Sequence, residues 1–183
     1  MESMIGRVLI LFRRVTPCQT ASMPPQDTRQ AATLPVRLAR LLRVGETHVG
    51  RGVFARRRIS SGVVIGEVLG TILDDHPEDS SYVMELPGGR LLDPAPPLRF
   101  VNHSCDPNCE LFYWEAEPGS MEEERLWLQT IRPIQPGEEL LIDYSWPADA
   151  AIPCRCGAMN CRKWIVDPAE LHLVERTETG QDP

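Results

Sequence analysis

The sequence predicts a mainly β domain, on three observations. Short apolar runs recur at residues 53–55, 63–65, 82–86, 111–114, 126–131 and 140–142. Turn residues separate several of them, at Ser60-Ser61-Gly62, Pro87-Gly88-Gly89, Pro118-Gly119-Ser120 and Gln135-Pro136-Gly137. Seventeen prolines and 13 glycines in 183 residues favour short elements over long helices.

In chain order, residues 1–33 combine Pro17, Pro24 and Pro25 with a Gln, Thr, Ser and Ala run, and neither a 2.0 nor a 3.6 period persists. This arm is expected to be disordered or loosely attached. From about Leu34 the pattern becomes strand-like, and the main domain is placed at 34–148. Residues 82–86, the Pro87-Gly88-Gly89 turn and residues 90–93 form a hairpin candidate. The acidic stretch 115–124 is expected to be an exposed hairpin loop. A cysteine-rich segment occupies 149–166, and a tail follows at 167–183, with Leu171, Leu173 and Val174 as the apolar face of a short closing helix.

The length favours one domain with a real core, and a 42% hydrophobic, 25% charged composition is ordinary for a globular protein. Nineteen basic residues against 26 acidic ones give a net charge of −7. A dedicated nucleic-acid binder carries a basic footprint, so direct nucleic-acid binding is not expected. The charge is uneven: residues 1–58 hold 11 Arg against 3 acids, and the remainder holds 8 basic residues against 23 acids. An acidic half attracts a basic peptide, although a solvated acidic face accounts for the same residues. The apolar run at 8–12 is far too short to span a membrane, so no membrane association is expected and the chain is read as intracellular, in cytoplasm or nucleus.

Six cysteines are present: Cys18, Cys105, Cys109, Cys154, Cys156 and Cys161. Three of them lie in a C-x-C-x4-C pattern, and in a reducing compartment such a cluster reads as a metal site. Zinc favours four tetrahedral ligands, so three thiolates require a fourth from elsewhere, and Cys105 or Cys109 can supply it. Both belong to the segment Arg99-Phe100-Val101-Asn102-His103-Ser104-Cys105-Asp106-Pro107-Asn108-Cys109, which packs an amide, an imidazole, a hydroxyl and two thiols into one stretch. Buried groups of this kind need partners, and a ligand is one source of them. Two further motifs are Gly50-Arg51-Gly52, whose glycines permit close backbone approach, and Gly137-Glu138-Glu139-Leu140-Leu141-Ile142-Asp143-Tyr144.

In this order, the four motifs resemble the SET domain of protein-lysine methyltransferases and its post-SET extension, over roughly residues 36–166. The resemblance implies a SET-type fold of small β-sheets with a knot-like crossing near the C-terminus and a zinc-bound post-SET segment. It implies S-adenosylmethionine as cofactor, with Gly50, Arg51, Gly52, Arg99, Asn102, His103 and Trp164 as cofactor-binding residues. Tyr144 matches the tyrosine at the methyl-transfer centre. Cys105, Cys154, Cys156 and Cys161 match the ligands of one structural zinc. The partner implied is a lysine-containing protein, a histone or another basic protein.

The chain departs from the family in places. Glu67-Val68-Leu69-Gly70 has valine where a tyrosine is common, the stretch before Arg99 is short and proline-rich, and Ile142 stands where an aromatic residue is common. Val68 and the shortened stretch favour an alternative function, a non-catalytic SET-like module that binds cofactor or peptide. Intact Asn102, His103 and Tyr144 favour the enzyme.

Overall fold

The computed structural model describes residues 13–15, 34–75, 82–114 and 125–178. Within the arm expected to be loose, β1 (Arg13–Val15) pairs in parallel with residues 112–114; Cys18 and the rest of the arm lie outside the described residues.

A helix, α1 (Leu34–Leu41), opens the main domain where a strand-like pattern was expected. Leu38 and Leu41 are buried with Leu42, while Arg37 and Arg40 are exposed. That spacing is the 3.6-residue period of an amphipathic helix, and Pro35 suits its first turn. The chain turns directly into β2 (Leu42–Thr47), which pairs antiparallel with β3 (Gly50–Ala55). After β4 (Val64–Glu67) and β5 (Gly70–Leu73), the expected hairpin forms: β6 (Met84–Glu85) pairs antiparallel with β7 (Leu91–Pro94) across a 3-10 turn at Pro87–Gly89. β8 (Asn102–His103) follows, then β9 (Cys109–Trp114) and β10 (Arg125–Thr130). β9 and β10 are antiparallel neighbours; the hairpin loop expected at 115–124 between them lies outside the described residues. The domain closes with β11 (Leu141–Ile142), β12 (Ile152–Pro153), β13 (Trp164–Ile165) and the expected helix α2 (Leu171–Glu178).

The strands make several small sheets rather than one large one, in the orders β1-β9-β10-β4, β5-β7-β6, β2-β3, β8-β11 and β12-β13. Ile65, Leu128 and Tyr113 from the largest sheet share one core with Leu42 and Val53 from the β2–β3 ribbon and with Ile134, Leu140 and Ile142. Removing such apolar surface from water is the main drive to fold. Val68 belongs to this core at 5% exposure, and its amide donates to the Leu126 carbonyl. No described helix is long and apolar enough to cross a membrane.

Two connections position the functional residues. Residues 137–140 dock along β3, where the amides of Gly137 and Ala55 bond the carbonyls of Ala55 and Glu138, and the Leu140 amide bonds Val53. β11 then pairs in parallel with β8, Leu141 opposite Asn102 and Ile142 opposite His103. Asn108, fully buried, locks that pair: its Nδ2 donates to the Glu139 carbonyl at 2.7 Å and its Oδ1 accepts from the Leu141 amide at 2.8 Å. Two motifs some forty residues apart in the sequence are thereby fused.

Candidate functional site

The β8–β11 pair carries Asn102, His103 and Tyr144 to the wall of a cavity of about 450 Å³. That volume lies in the range of small-molecule sites. His48 and Val49, at the β2–β3 turn, form one rim; Ile152, Pro153, Cys154, Arg155, Cys156 and Ile165 of the closing segment also line the cavity, and Glu139 and Leu141 complete the lining.

Asn102 Nδ2 donates to the Arg51 carbonyl at 2.9 Å and to Glu139 Oε1 at 2.8 Å. Both of its amide hydrogens are thus committed inside the protein, and its Oδ1 has no partner among the described residues. Tyr144 lies between His103, at 5.4 Å between ring centroids, and Trp146, on which it stacks at 5.9 Å. Its hydroxyl donates to the Val101 carbonyl at 2.9 Å. Burial raises the Tyr144 hydroxyl well above the ordinary tyrosine range, assisted by Tyr82 and the Glu139 carboxylate. The phenol therefore stays neutral, with its proton on Val101 and its oxygen lone pairs left to accept.

His103 is 8% exposed, and burial lowers its pKa to about 4, so the ring is neutral. Its Nδ1 accepts from the Tyr144 amide at 3.2 Å. The single ring proton then sits on Nε2, which lies 3.4 Å from Cys105 Sγ and donates to it. Asp143 Oδ1 also approaches Nδ1 at 3.5 Å, but that oxygen is occupied by Arg162 Nη2 at 2.7 Å and the Ser145 amide at 3.2 Å.

Three of the four expected thiols, those of Cys105, Cys154 and Cys156, come together with His103. Cys105 Sγ and Cys154 Sγ are 3.8 Å apart, and the donor atoms of His103, Cys105, Cys154 and Cys156 all lie within 4.8 Å of one another. The Cys161 thiol interacts with those of Cys154 and Cys156. Of the two candidates for fourth thiolate, Cys105 joins the cluster; Cys109 lies apart in β9, 1% exposed, and burial pushes its thiol up to about 12. His103 is near enough to compete as a ligand. Its Nε2 proton and the use of Nδ1 as acceptor leave no lone pair for a metal, so four thiols suit a tetrahedral zinc best. Backbone amides of Cys156, Arg162 and Lys163 point at the sulfurs of Cys154, Cys105 and Cys161, each at 3.4 Å, as negative thiolates need. Burial raises Cys105 to about 11. Burial also works against Cys156, but amide hydrogen bonds and neighbouring thiols prevail and lower it to about 6. Such a spread is that of like groups crowded at one centre, which a divalent cation relieves.

Arg162 fastens this segment to the domain with a bidentate pair to Asp143 at 2.7 and 2.8 Å, and its Nη2 also bonds the Val166 carbonyl at 3.1 Å. On the other rim, His48 Nε2 donates to the Arg155 carbonyl at 2.7 Å.

Of the seven residues expected at the cofactor, Asn102 and His103 line the cavity by their side chains. Arg51 enters through its carbonyl, while its guanidinium lies over the Phe100 ring at 3.9 Å. Arg99 stacks on Tyr82 at 4.4 Å and pairs with Asp93 at 3.4 Å. Trp164 is half-buried in β13, beside Ile165 of the cavity wall. Gly52 does mark a close approach, but to protein: a Cβ there would collide with the Glu139 carboxylate and Thr47. Gly50 adopts φ +120°, which L side chains rarely adopt. Glu139, His48, Arg155 and Arg162 were not singled out by the sequence. The one available signal was the second glutamate of the Gly137-Glu138-Glu139 motif, because neighbours in an extended segment face opposite ways.

Small β-sheets, a parallel β8–β11 pair and a thiol-rich closing segment around one cavity define the class of domain to which the chain belongs. The chain belongs to the SET domain family, which it matches over residues 50–145. It is 34% identical over 133 residues to histone-lysine N-methyltransferase Set2 of Drosophila melanogaster, covering 63% of this chain and 6% of that protein. To histone-lysine N-methyltransferase 2B of Homo sapiens it is 31% identical over 135 residues, covering 63% of this chain and 5% of that protein. The crystal structure of KRYPTONITE in complex with mCHH DNA, H3(1-15) peptide and SAH is similar, with a TM-score of 0.58 and 26% identity over 68% of this chain and 29% of that one. The chain thus spans a small part of the length of these relatives. Because that structure contains DNA, the expectation of no direct nucleic-acid binding gains no support from it.

Proposed function

We propose that this chain transfers a methyl group from S-adenosylmethionine to the ε-amine of a lysine in a protein substrate. The observation that carries the reading is Tyr144. Its hydroxyl proton is committed to the Val101 carbonyl, so its oxygen is left to accept a hydrogen from an incoming amine at the cavity wall. S-adenosylmethionine supplies an electrophilic methyl on a sulfonium. Asn102 Oδ1 is an unpartnered acceptor for the cofactor's ammonium, Arg155 offers a cation for its carboxylate, and Val49, Leu141, Ile152 and Ile165 offer apolar surface. A lysine amine has a reference pKa near 10.4, so it must lose its proton before attack, and burial beside a cation favours that loss. Tyr144 then aligns the nitrogen lone pair rather than removing a proton; a neutral, buried phenol is a poor base. A zinc held by Cys105, Cys154, Cys156 and Cys161 has no open position, so its part is to hold the segment that walls the cavity.

The relatives' names as histone-lysine methyltransferases and the SAH in the KRYPTONITE structure support the reading. We infer a lysine-containing basic protein, a histone among the candidates, as substrate. The zinc thiolates favour an intracellular location, where thiols stay reduced. Of the two features that favour the alternative of a non-catalytic module, Val68 is a core residue that does not line the cavity, which leaves the short, proline-rich stretch before Arg99 as its argument. Purified protein, labelled S-adenosylmethionine and a panel of lysine-rich proteins test the proposal. Transfer that disappears in Asn102→Ala supports it; cofactor binding without transfer to any panel member favours the module.

A further inference from the structure

The acidic balance of the whole chain conceals a basic face. Residues 34–58 carry seven arginines against one acid, Glu46. Arg51 lies over the Phe100 ring; the other six are exposed. Arg37 and Arg40 stand three residues apart in α1 and so are neighbours on its surface, while Leu38 and Leu41 are buried. The run Arg56-Arg57-Arg58 leaves β3 at the C-terminal end of that helix. There the Arg56 amide bonds the Leu41 carbonyl at 2.8 Å, and its Nε bonds the Leu42 carbonyl at 2.7 Å. Arg43 and Arg56 line one groove of about 550 Å³ together with Leu38 and Ala39 of the helix. The acid of that groove, Glu67, is paired with Arg125 at 3.8 Å. Arg43 is held on the Phe54 ring at 4.4 Å. Arg37, Arg40, Arg57 and Arg58 have no partner among the described residues.

This face shares no lining residue with the cavity of the proposed methyl transfer. A basic substrate is repelled by it, so the arginines suit a different, anionic partner. We propose that α1 and residues 56–58 form a docking surface for the phosphodiester backbone of nucleic acid. The net charge of −7 does not oppose this. Salt confines each charge's field to about 10 Å, so a partner meets the local face and not the average of the chain. All six cations are arginine, whose fork matches phosphate oxygens. The exposed large apolar side chains among the described residues lie outside α1 and residues 56–58. The four free arginines therefore offer charge without the apolar anchor that a protein partner buries. Such contacts position a nucleic acid without reading its sequence.

The test is the anisotropy of a short labelled DNA duplex titrated with the zinc-loaded full chain over a series of salt concentrations. Each phosphate engaged adds about −0.9 to the slope of log K against log salt, so four free arginines predict roughly −4. Two double variants are compared with wild type, Arg37→Gln with Arg40→Gln and Arg57→Gln with Arg58→Gln. Each lowers the magnitude of the slope by about two, while zinc content and Tm stay at wild-type values. A labelled single strand runs beside the duplex, and the tighter of the two names the form recognised. Polyglutamate is the competitor: displacement of the duplex at equal charge concentration would assign the face to an acidic protein and overturn the proposal. Absence of binding at low salt, or slopes that both variants leave unchanged, would overturn it as well.

Discussion

At the residue scale, one neutral phenol and one half-buried carboxylate network carry the account. Tyr144 keeps its proton because burial penalises the phenolate, and it orients through the oxygen that Val101 leaves free. Tyr144→Phe removes that acceptor without removing the ring that stacks on Trp146. Methyl transfer is expected to fall by about 100-fold, the cost of a misaligned attacking group, while calorimetry shows cofactor binding intact; an unchanged rate would remove Tyr144 from the mechanism. Glu138 makes a different prediction. Burial works against its charge, but the Gln135 amide, Arg132 and Asn108 outweigh it and hold its pKa below the ordinary 4.5. A carboxyl depressed by folding stabilises the protein above its unfolded pKa, and that contribution fades as pH falls through the folded value. Glu138→Gln is therefore expected to lower Tm at pH 7, and the gap to wild type should close in melts taken progressively below pH 4.5. A gap that is constant with pH would assign the loss to shape rather than charge.

At the scale of elements, the site depends on two pieces that the core does not hold by itself, the β2–β3 turn and the segment from Ile152 to Ile165. His48 joins them across 107 residues of chain by its bond to the Arg155 carbonyl. Opening that clasp should free one rim of the cavity. His48→Ala is expected to speed cofactor dissociation by about fivefold, the worth of one hydrogen bond of about 1 kcal/mol, with zinc content unchanged; stopped-flow release of bound cofactor measures it, and wild-type release would show that the clasp is idle. This contact was not legible in the sequence, because nothing local marks a turn histidine as the partner of a backbone carbonyl so far away. By contrast, the hairpin of β6 and β7 was legible, since its Pro87-Gly88-Gly89 turn and flanking apolar residues are local signals. The helix α1 was passed over for a physical reason: eight residues give scarcely two turns of periodicity, and the strand that follows at once blurs it. Arg51 and Arg99 were expected at the cofactor from the resemblance, Arg51 through its backbone, whose carbonyl accepts from Asn102; their guanidinium groups lie against the Phe100 and Tyr82 rings.

At the scale of the whole molecule, Cys154 and Cys156 belong to both the thiol cluster and the cavity wall. The C-x-C-x4-C spacing by itself left Cys105 and Cys109 open as a fourth thiolate; the resemblance pointed to Cys105, and in the folded chain Cys109 is enclosed in β9. Shared residues make metal and cofactor interdependent. Chelating the zinc, or making Cys156→Ser, is expected to abolish cofactor binding while the sheet core around Ile65, Leu128 and Tyr113 remains folded, because none of Cys105, Cys154, Cys156 and Cys161 belongs to that core. Metal analysis, calorimetry and hydrogen exchange on the same sample check this. Full metal retention in Cys156→Ser would defeat the four-thiolate site, and loss of core protection together with the metal would mean that zinc holds the whole fold.

The central claim, that this cavity moves a methyl group to lysine, is tested most directly by mass spectrometry of lysine-rich proteins incubated with the zinc-loaded chain and methyl-labelled S-adenosylmethionine. The account expects labelled methyl-lysine that is absent when Tyr144→Phe replaces wild type at matched time. Tight cofactor binding with no labelled lysine on any substrate offered, or labelling that ignores Tyr144, would contradict it.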